Sequence, residues 1–301
     1  MNRRSFVRNA GFSFGALPLL KKDWLTRFMQ DNPYKMKMLH NDVGIFTEKG
    51  GTIAYYLSKR NIAVVDSEFP EQSKHLIDAL QKDPARPFEI LINTHHHGDH
   101  TSGNISFKGI VEHVAAHSNS LLNQQRVAKE QNKESEQLYP NMTYGDSWEY
   151  KKMKEPIHTY YYGPAHTNGD SVIFFPHANI AHVGDLVFNR RWAFIDRTAG
   201  ASVKNWILVL DKIQQQFDND TLFVFGHAFD PEKVTGNKAD VKAMQDYLTN
   251  LLAFVTSQIK AGKTRDEVMK ATSIPGVTEW QGDGIDRGLQ AAYDEAVQDV
   301  I

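Results

Sequence analysis

Six consecutive positions, His95-His96-His97-Gly98-Asp99-His100, hold four imidazoles and a carboxylate. Protonated, side chains packed this densely repel one another. A divalent cation that takes their lone pairs makes the same cluster favourable. A His-rich surface loop is the bland alternative, so the question is whether the rest of the chain supplies further ligands. His166 follows Gly163-Pro164, Asp185 follows Gly184 and His227 follows Gly226. Small or turn-forming residues there let the backbone bend so that a side chain points across the end of a sheet. Cysteine is absent, which excludes disulfides, thiolate zinc sites and a cysteine nucleophile, so any metal must be held by His, Asp or Glu.

The elements that must position these residues are short apolar runs. Glu89 to Ile92 leads into the histidine cluster, Ile157 to Tyr162 precedes His166, and Ile180 to Val183 and Leu222 to Phe225 end at Gly184-Asp185 and Gly226-His227. Ligands converging from separate strand ends are how α/β folds build sites in the crevice beyond a sheet. Upstream, Val43 to Phe46 and Thr52 to Leu57 flank a glycine-containing hairpin signal, Ile62 to Asp66 reads as a buried strand, and Pro70 opens a helix closed near Pro84. Val111 to Ala116 reads as a strand, Ser118 to Glu136 as a charged helix, and Tyr139 to Gly145 as a loop. Ser202 is a helix N-cap, with Trp206, Leu210 and Ile213 on the inner side. Apolar residues at helical spacing from Val241 to Ile259 give a long amphipathic helix, and helices continue over Asp266 to Ala271 and Ile285 to Val300. Nothing in this tail reads as chemical; it is expected to cap the fold or to form a homodimer.

Composition bounds the rest. With 301 residues, 41% of them hydrophobic, the chain can bury one large core or two small ones. A formal net charge of −2 leaves no basic footprint for nucleic acid. No apolar run approaches the roughly 20 residues needed to span a bilayer. Asn2-Arg3-Arg4-Ser5-Phe6-Val7-Arg8 before the weakly apolar Ala10 to Leu20 is similar to a twin-arginine export signal, so residues 1–30 are expected to be a leader and the protein periplasmic.

His95-x-His97-x-Asp99-His100, then His166, Asp185 and His227, resembles the ligand pattern of the metallo-β-lactamase superfamily over roughly residues 40 to 230. The resemblance implies an α/β fold, a four-layer αββα sandwich over residues 40–235, with the helices of 238–301 as an addition. It also implies that His95, His97 and His166 hold one zinc ion, that Asp99, His100 and His227 hold a second, and that Asp185 bridges them. Three imidazoles and a bridging oxygen suit tetrahedral zinc; the more oxygen-rich second set could also accept iron or manganese. A hydroxide between the two ions would attack a carbonyl or phosphoryl centre, with Asp99 orienting it. Alternation puts His96 outside the site, His182 is expected in the core or behind a ligand, His117 and His177 at the surface or a helix start, and Asp66 behind a ligand imidazole.

Departures from the β-lactamases proper shape the functional expectation. Asp185 stands where one large class has a zinc-binding cysteine, and Phe188 where that class often has a lysine. The pattern is more similar to glyoxalase II, lactonase and phosphodiesterase branches, so a hydrolase of esters, thioesters, lactones or amides on a small-molecule substrate ranks first. A β-lactamase, a mononuclear iron oxygenase of the persulfide dioxygenase type, and a non-catalytic metal-binding protein are the alternatives. Arg190 and Arg191 for an anionic group, Trp192 and Phe194 for an apolar wall, Tyr162 for an oxyanion, and Phe46 in a substrate flap are the substrate-facing expectations.

Overall fold

A computed structural model describes residues 32–82 and 86–298, so the expected leader lies outside the described residues. Two mixed sheets stack face to face. The first runs β1 (Lys35–Met38), β2 (Val43–Thr47), β3 (Ile53–Leu57), β4 (Ile62–Val65), β5 (Phe88–Asn93), β6 (Val111–His117) and β7 (Met142–Tyr144), in that spatial order. Its first three pairings are antiparallel, and β4 through β7 are parallel. The second sheet contains β8 (Ser147–Tyr150), β9 (Ile157–Tyr160), β10 (Val172–Phe175), β11 (Ile180–Asn189), β12 (Leu222–Ala228) and β13 (Thr235–Gly236), with β11 and β12 paired in parallel.

Three apolar clusters fill the layers. Ile45, Val65, Ile90 and Ile92 of the first sheet meet Ile157, Ile173, Phe175 and Val224 of the second in the central core. On the outer face of the first sheet, Phe46, Tyr55, Val64 and Phe88 pack under Leu76 and Leu80 of α1 (Pro70–Leu80). The second sheet's outer face carries the largest cluster, built on Trp206, Leu210 and Ile213 of α4 (Val203–Gln216) and on Met244, Leu248 and Leu251 of α5 (Lys238–Lys260). Between α1 and α4 lie α2 (Gly98–Thr101) and α3 (Ser118–Glu130); α6 (Arg265–Val268) and α7 (Ile285–Gln298) follow α5. The architecture is the αββα sandwich with C-terminal helices. Among the described residues no helix is long and apolar enough to cross a membrane.

Capping chemistry sets the helix ends, at Ser202 as the sequence indicates. Ser202 Oγ accepts from the Asn205 amide at the start of α4, and Asn237 and Asp240 form a capping box on α5. Three readings change. The strands carrying Asp185 and His227 do not end there but continue to Asn189 and Ala228, because the β11–β12 register shifts around Gly184 and turns Asp185 out without breaking the ladder. Within Tyr139 to Gly145 lies β7, the edge strand of the first sheet. Phe46 is fully buried in the outer core beneath α1, stacked on Tyr34 at 5.0 Å, and forms no flap.

Candidate metal centre

The centre is assembled where β5, β11 and β12 approach one another. Thr52 donates both its amide (2.9 Å) and its hydroxyl (3.2 Å) to the Gly226 carbonyl, and the Ser171 amide donates to the Thr94 carbonyl (2.8 Å). These bonds pin the two sheets together beside the cluster. Gly51 donates to the Asp99 carbonyl (3.0 Å), tying the β2–β3 hairpin to the same place. Gly226 leaves no room for a side chain, since a Cβ there would sit 1.9 Å from Asp185 Oδ1. Gly184 adopts φ +50°, and a Cβ would meet Thr94 Oγ1 at 2.7 Å.

Three groups of donor atoms result; one, His96 with His97 and Asp196, shares His97 with the first of the two that Asp185 joins. His95 Nε2 and His166 Nε2 lie 3.0 and 2.9 Å from His97 Nδ1, and together with Asp185 these atoms fall within 4.8 Å of one another. Asp99, His100 and His227 form the second group, with His227 Nε2 3.0 Å and His100 Nε2 3.7 Å from Asp99 Oδ2. Asp185 stands between them. Its Oδ1 is 3.1 Å from His100 Nε2, and its Oδ2 is 3.5 Å from both His166 and His227 and 3.8 Å from His95. Despite that proximity, neither His100 Nε2 nor Asp185 Oδ1 has a hydrogen-bond partner, although both are buried. Orphaned lone pairs facing one another inside a protein are costly unless a cation takes them. The donor set fits divalent cations of the zinc type.

The outward nitrogens of the imidazoles are held in turn. His100 Nδ1 meets Asp66 Oδ2 at 2.8 Å, His166 Nδ1 meets the Phe194 carbonyl at 2.7 Å, and His97 Nε2 meets Asp196 Oδ2 at 2.9 Å. His95 Nδ1 lies 3.0 Å from Thr94 Oγ1, which donates to Asp66. Such partners fix ring orientation and tautomer. Asp66 sits at φ +65°, a strained backbone that its bonds from the Thr94 amide and hydroxyl retain.

Electrostatics separates the two groups. Burial and the neighbouring His97 push the His166 imidazole down to about 3, and burial likewise lowers His95, so both stay neutral and able to donate a lone pair. Burial opposes a charge on His100, but Asp185, Asp99 and Asp66 together push its imidazole well up. Asp185 is buried too, yet His227, His100 and His95 hold its carboxyl far below the usual carboxylate range.

The seven residues singled out by spacing therefore come together, and the others divide. His96 lies outside both groups, with Nε2 3.6 Å from Asp196 and Nδ1 buried without a partner. His182 is a core residue, its Nε2 on the Thr52 carbonyl. His117 caps α3, and His177 is exposed beside Glu155. Trp192 and Phe194 line the cavity of about 310 Å³ that opens over Asp99, Asp185 and His227. Arg190 does not: at φ +57° it turns away to Glu279 (2.6 Å), and Arg191 lines the cavity in its stead. Tyr162 packs at the edge of the outer core with its hydroxyl buried, away from the cavity lining. Sequence reading missed Asp196 and Arg287, the latter a cavity-lining residue from the C-terminal α7; neither stands in a recognisable spacing with the ligands.

Comparison with known proteins agrees with this geometry. The family model described as the metallo-beta-lactamase superfamily matches residues 54–227. The chain is 24% identical to a metallo-beta-lactamase type 2 of Elizabethkingia meningoseptica over 67% of its length and 82% of that protein. It is 25% identical to the Schizosaccharomyces pombe protein named "Probable hydroxyacylglutathione hydrolase", over 58% of its length and 62% of that protein. In fold it is similar to a metallo-beta-lactamase from Pontibacter korlensis (TM-score 0.60, 19% identity, 72% of this chain and 99% of that one). It is also similar to a sec-alkyl sulfatase (TM-score 0.69, 12% identity, 86% and 49%). The chain belongs to the metallo-β-lactamase superfamily of metal-dependent hydrolases.

Proposed function

We propose that the two donor groups hold a pair of divalent cations, zinc in the first and zinc, iron or manganese in the second. We propose also that the protein hydrolyses an ester, thioester, lactone or amide bond of a small molecule. The observation that carries this is Asp185: one buried carboxylate reaches both groups, and its Oδ1 has no partner but the equally orphaned His100 Nε2. His95, His97 and His166 hold the first cation, Asp99, His100 and His227 the second, and Asp185 is shared. Bound there, the cations supply Lewis-acid polarisation of a carbonyl and lower the pKa of water toward neutrality.

The chain's own residues do the rest. Asp99, one-third exposed at the cavity floor, is ionised, because His100 and a bond from His227 outweigh the effect of its burial. It accepts the proton of the attacking water and returns it to the departing oxygen, sulfur or nitrogen, while the water oxygen ends on the acyl carbon. His227, 3.0 Å away, orients that carboxylate. The Phe188 ring, stacked on His227 at 5.4 Å, and Trp192 wall the cavity.

The relative named as a hydroxyacylglutathione hydrolase supports a thioester substrate; those named as β-lactamases support a β-lactam as the second reading. Metal quantification combined with a panel of esters, thioesters, lactones, β-lactams and phosphodiesters tests the proposal. About two zinc ions per chain with hydrolysis is the expected result; about one iron with oxygen consumption overturns it. The Arg3-Arg4 leader supports export to the periplasm, and Arg3-Arg4→Lys-Lys is expected to abolish periplasmic accumulation.

A further inference from the structure

The metal cavity does not stand alone. A second cavity of about 530 Å³ adjoins it, and His97, Gly98, Phe194 and Arg287 line both, so the two form one extended cleft with Phe194 and Arg287 at the junction. Phe194 is 40% exposed, unusual for a phenylalanine, and the Arg287 guanidinium lies over its ring at 5.9 Å. Two other arginines of the cleft, Arg126 and Arg197, are engaged by carboxylates, Glu130 and Glu295, whereas Arg191 and Arg287 are not. Among the described residues Arg287 has no carboxylate within ion-pair distance, and its guanidinium lies over the Phe194 ring. A guanidinium held over an aromatic face at the mouth of a catalytic cavity, its donors unspent, is built to receive a planar anion.

We propose that Arg287 and Phe194 form a carboxylate-docking subsite at the junction of the two cavities, so that the substrate is an acyl compound bearing a carboxylate remote from the scissile bond. The reacting carbonyl sits over Asp99 and Asp185, the carboxylate meets Arg287, and Phe194 covers the apolar chain between them. Arg191, exposed and also lining the metal cavity, adds a second positive charge there. The inference rests on the hydrolase reading for its substrate class, but not for the anion subsite itself.

The test uses full-length metal-loaded protein and two matched series: p-nitrophenyl monoesters of linear dicarboxylic acids, and p-nitrophenyl esters of monocarboxylic acids of equal length. Calorimetric binding of the free dicarboxylates runs in parallel. The expected result is a KM about tenfold lower for the carboxylate-bearing esters than for the neutral ones, a preference removed in Arg287→Ala and partly restored in Arg287→Lys, with the loss carried by KM more than by kcat. Dicarboxylate binding should weaken by a similar factor in Arg287→Ala. Hydrolysis of both series with equal KM, together with dicarboxylate binding indifferent to Arg287, overturns the subsite and leaves the hydrolase standing. Hydrolysis of neither series, with binding still dependent on Arg287, supports the subsite and overturns the hydrolase.

Discussion

The two donor groups differ in what surrounds them. His95, His166 and Asp185 are almost wholly buried, ringed by Trp206, Phe188 and the strands of the second sheet. In the other group only His100 is sealed, while Asp99 and His227 face the cavity, which the first group reaches through His97 and Asp185. Burial lowers His95 and His166 of the first group, whereas the surrounding carboxylates raise His100 of the second. Under the proposed two-cation reading, the more buried first group anchors and the more open second group meets substrate, because a group that must meet a reactant has to keep an open side. Asp185 belongs to both, so it is where the distinction breaks down.

The largest effect is therefore expected at Asp185. Asp185→Asn removes the shared charge, and both metal equivalents should fall on elemental analysis, with kcat/KM down about a thousandfold, the several kcal/mol that metal polarisation supplies. Retention of two metals with near-normal activity would falsify the shared role. A smaller and asymmetric effect should follow at the ligands proper. His166→Ala is expected to lose the first metal and most activity, whereas His227→Ala should retain about one metal equivalent and a residual rate. If the two variants lose metal identically, the anchoring and substrate-facing groups are not distinct.

Smaller again is Asp66→Asn. Asp66 touches His100 alone among the imidazoles of the two groups, at 2.8 Å, so the loss should fall on the second group. Partners of this kind are worth about tenfold to a hundredfold in metal affinity. Competition with a chelator should show one weakened site and one unchanged; equal weakening of both would show that Asp66 acts on the fold, through its bonds to Thr94, more than on His100.

How much of this was legible in the sequence follows the same division. His95, His97, Asp99 and His100 are legible because they are dense and local, and His166, Asp185 and His227 because glycine or proline announces a turn near each. The individual strands and helices are legible through short apolar runs and the period of α4 and α5, while the αββα layering is implied by the family resemblance that the ligand pattern carries. What failed depends on backbone detail or on remote parts of the chain. At Arg190 a single left-handed residue exchanges the facing of two adjacent arginines, which no pattern in residues 185–194 encodes. Phe46 and Tyr162 were drawn to the core because apolar area counts for more than adjacency to a ligand. Asp196 reaches His97 from 99 positions away, and Arg287 arrives on a helix whose sequence shows only an amphipathic stripe. The C-terminal helices, read as mere cover, contribute a cation to the cleft.

The smallest expected effect tests the boundary of the first group, at His96. It is flanked by two ligand candidates yet points out of both groups, 4% exposed, and burial with the nearby His97 pushes its imidazole down to about 3. An unfolded histidine takes up a proton near 6.5, so as pH falls below that value the unfolded chain is protonated first and stability drains away until the folded pKa is reached. The contribution is complete above about pH 6.5 and is lost between there and about pH 3, at up to about 1.4 kcal/mol per pH unit. Glutamine cannot take that proton. In metal-free protein, the stability of His96→Gln relative to wild type, measured by urea unfolding, should therefore improve by about 1 kcal/mol between pH 6.5 and 5.5, whatever its value at neutral pH. Metal content of the loaded variant should remain at the wild-type value. A difference that stays constant with pH would mean that His96 is protonated in the fold, its charge carried by Asp196 at 3.6 Å, and loss of a metal equivalent would bring His96 inside the first group after all.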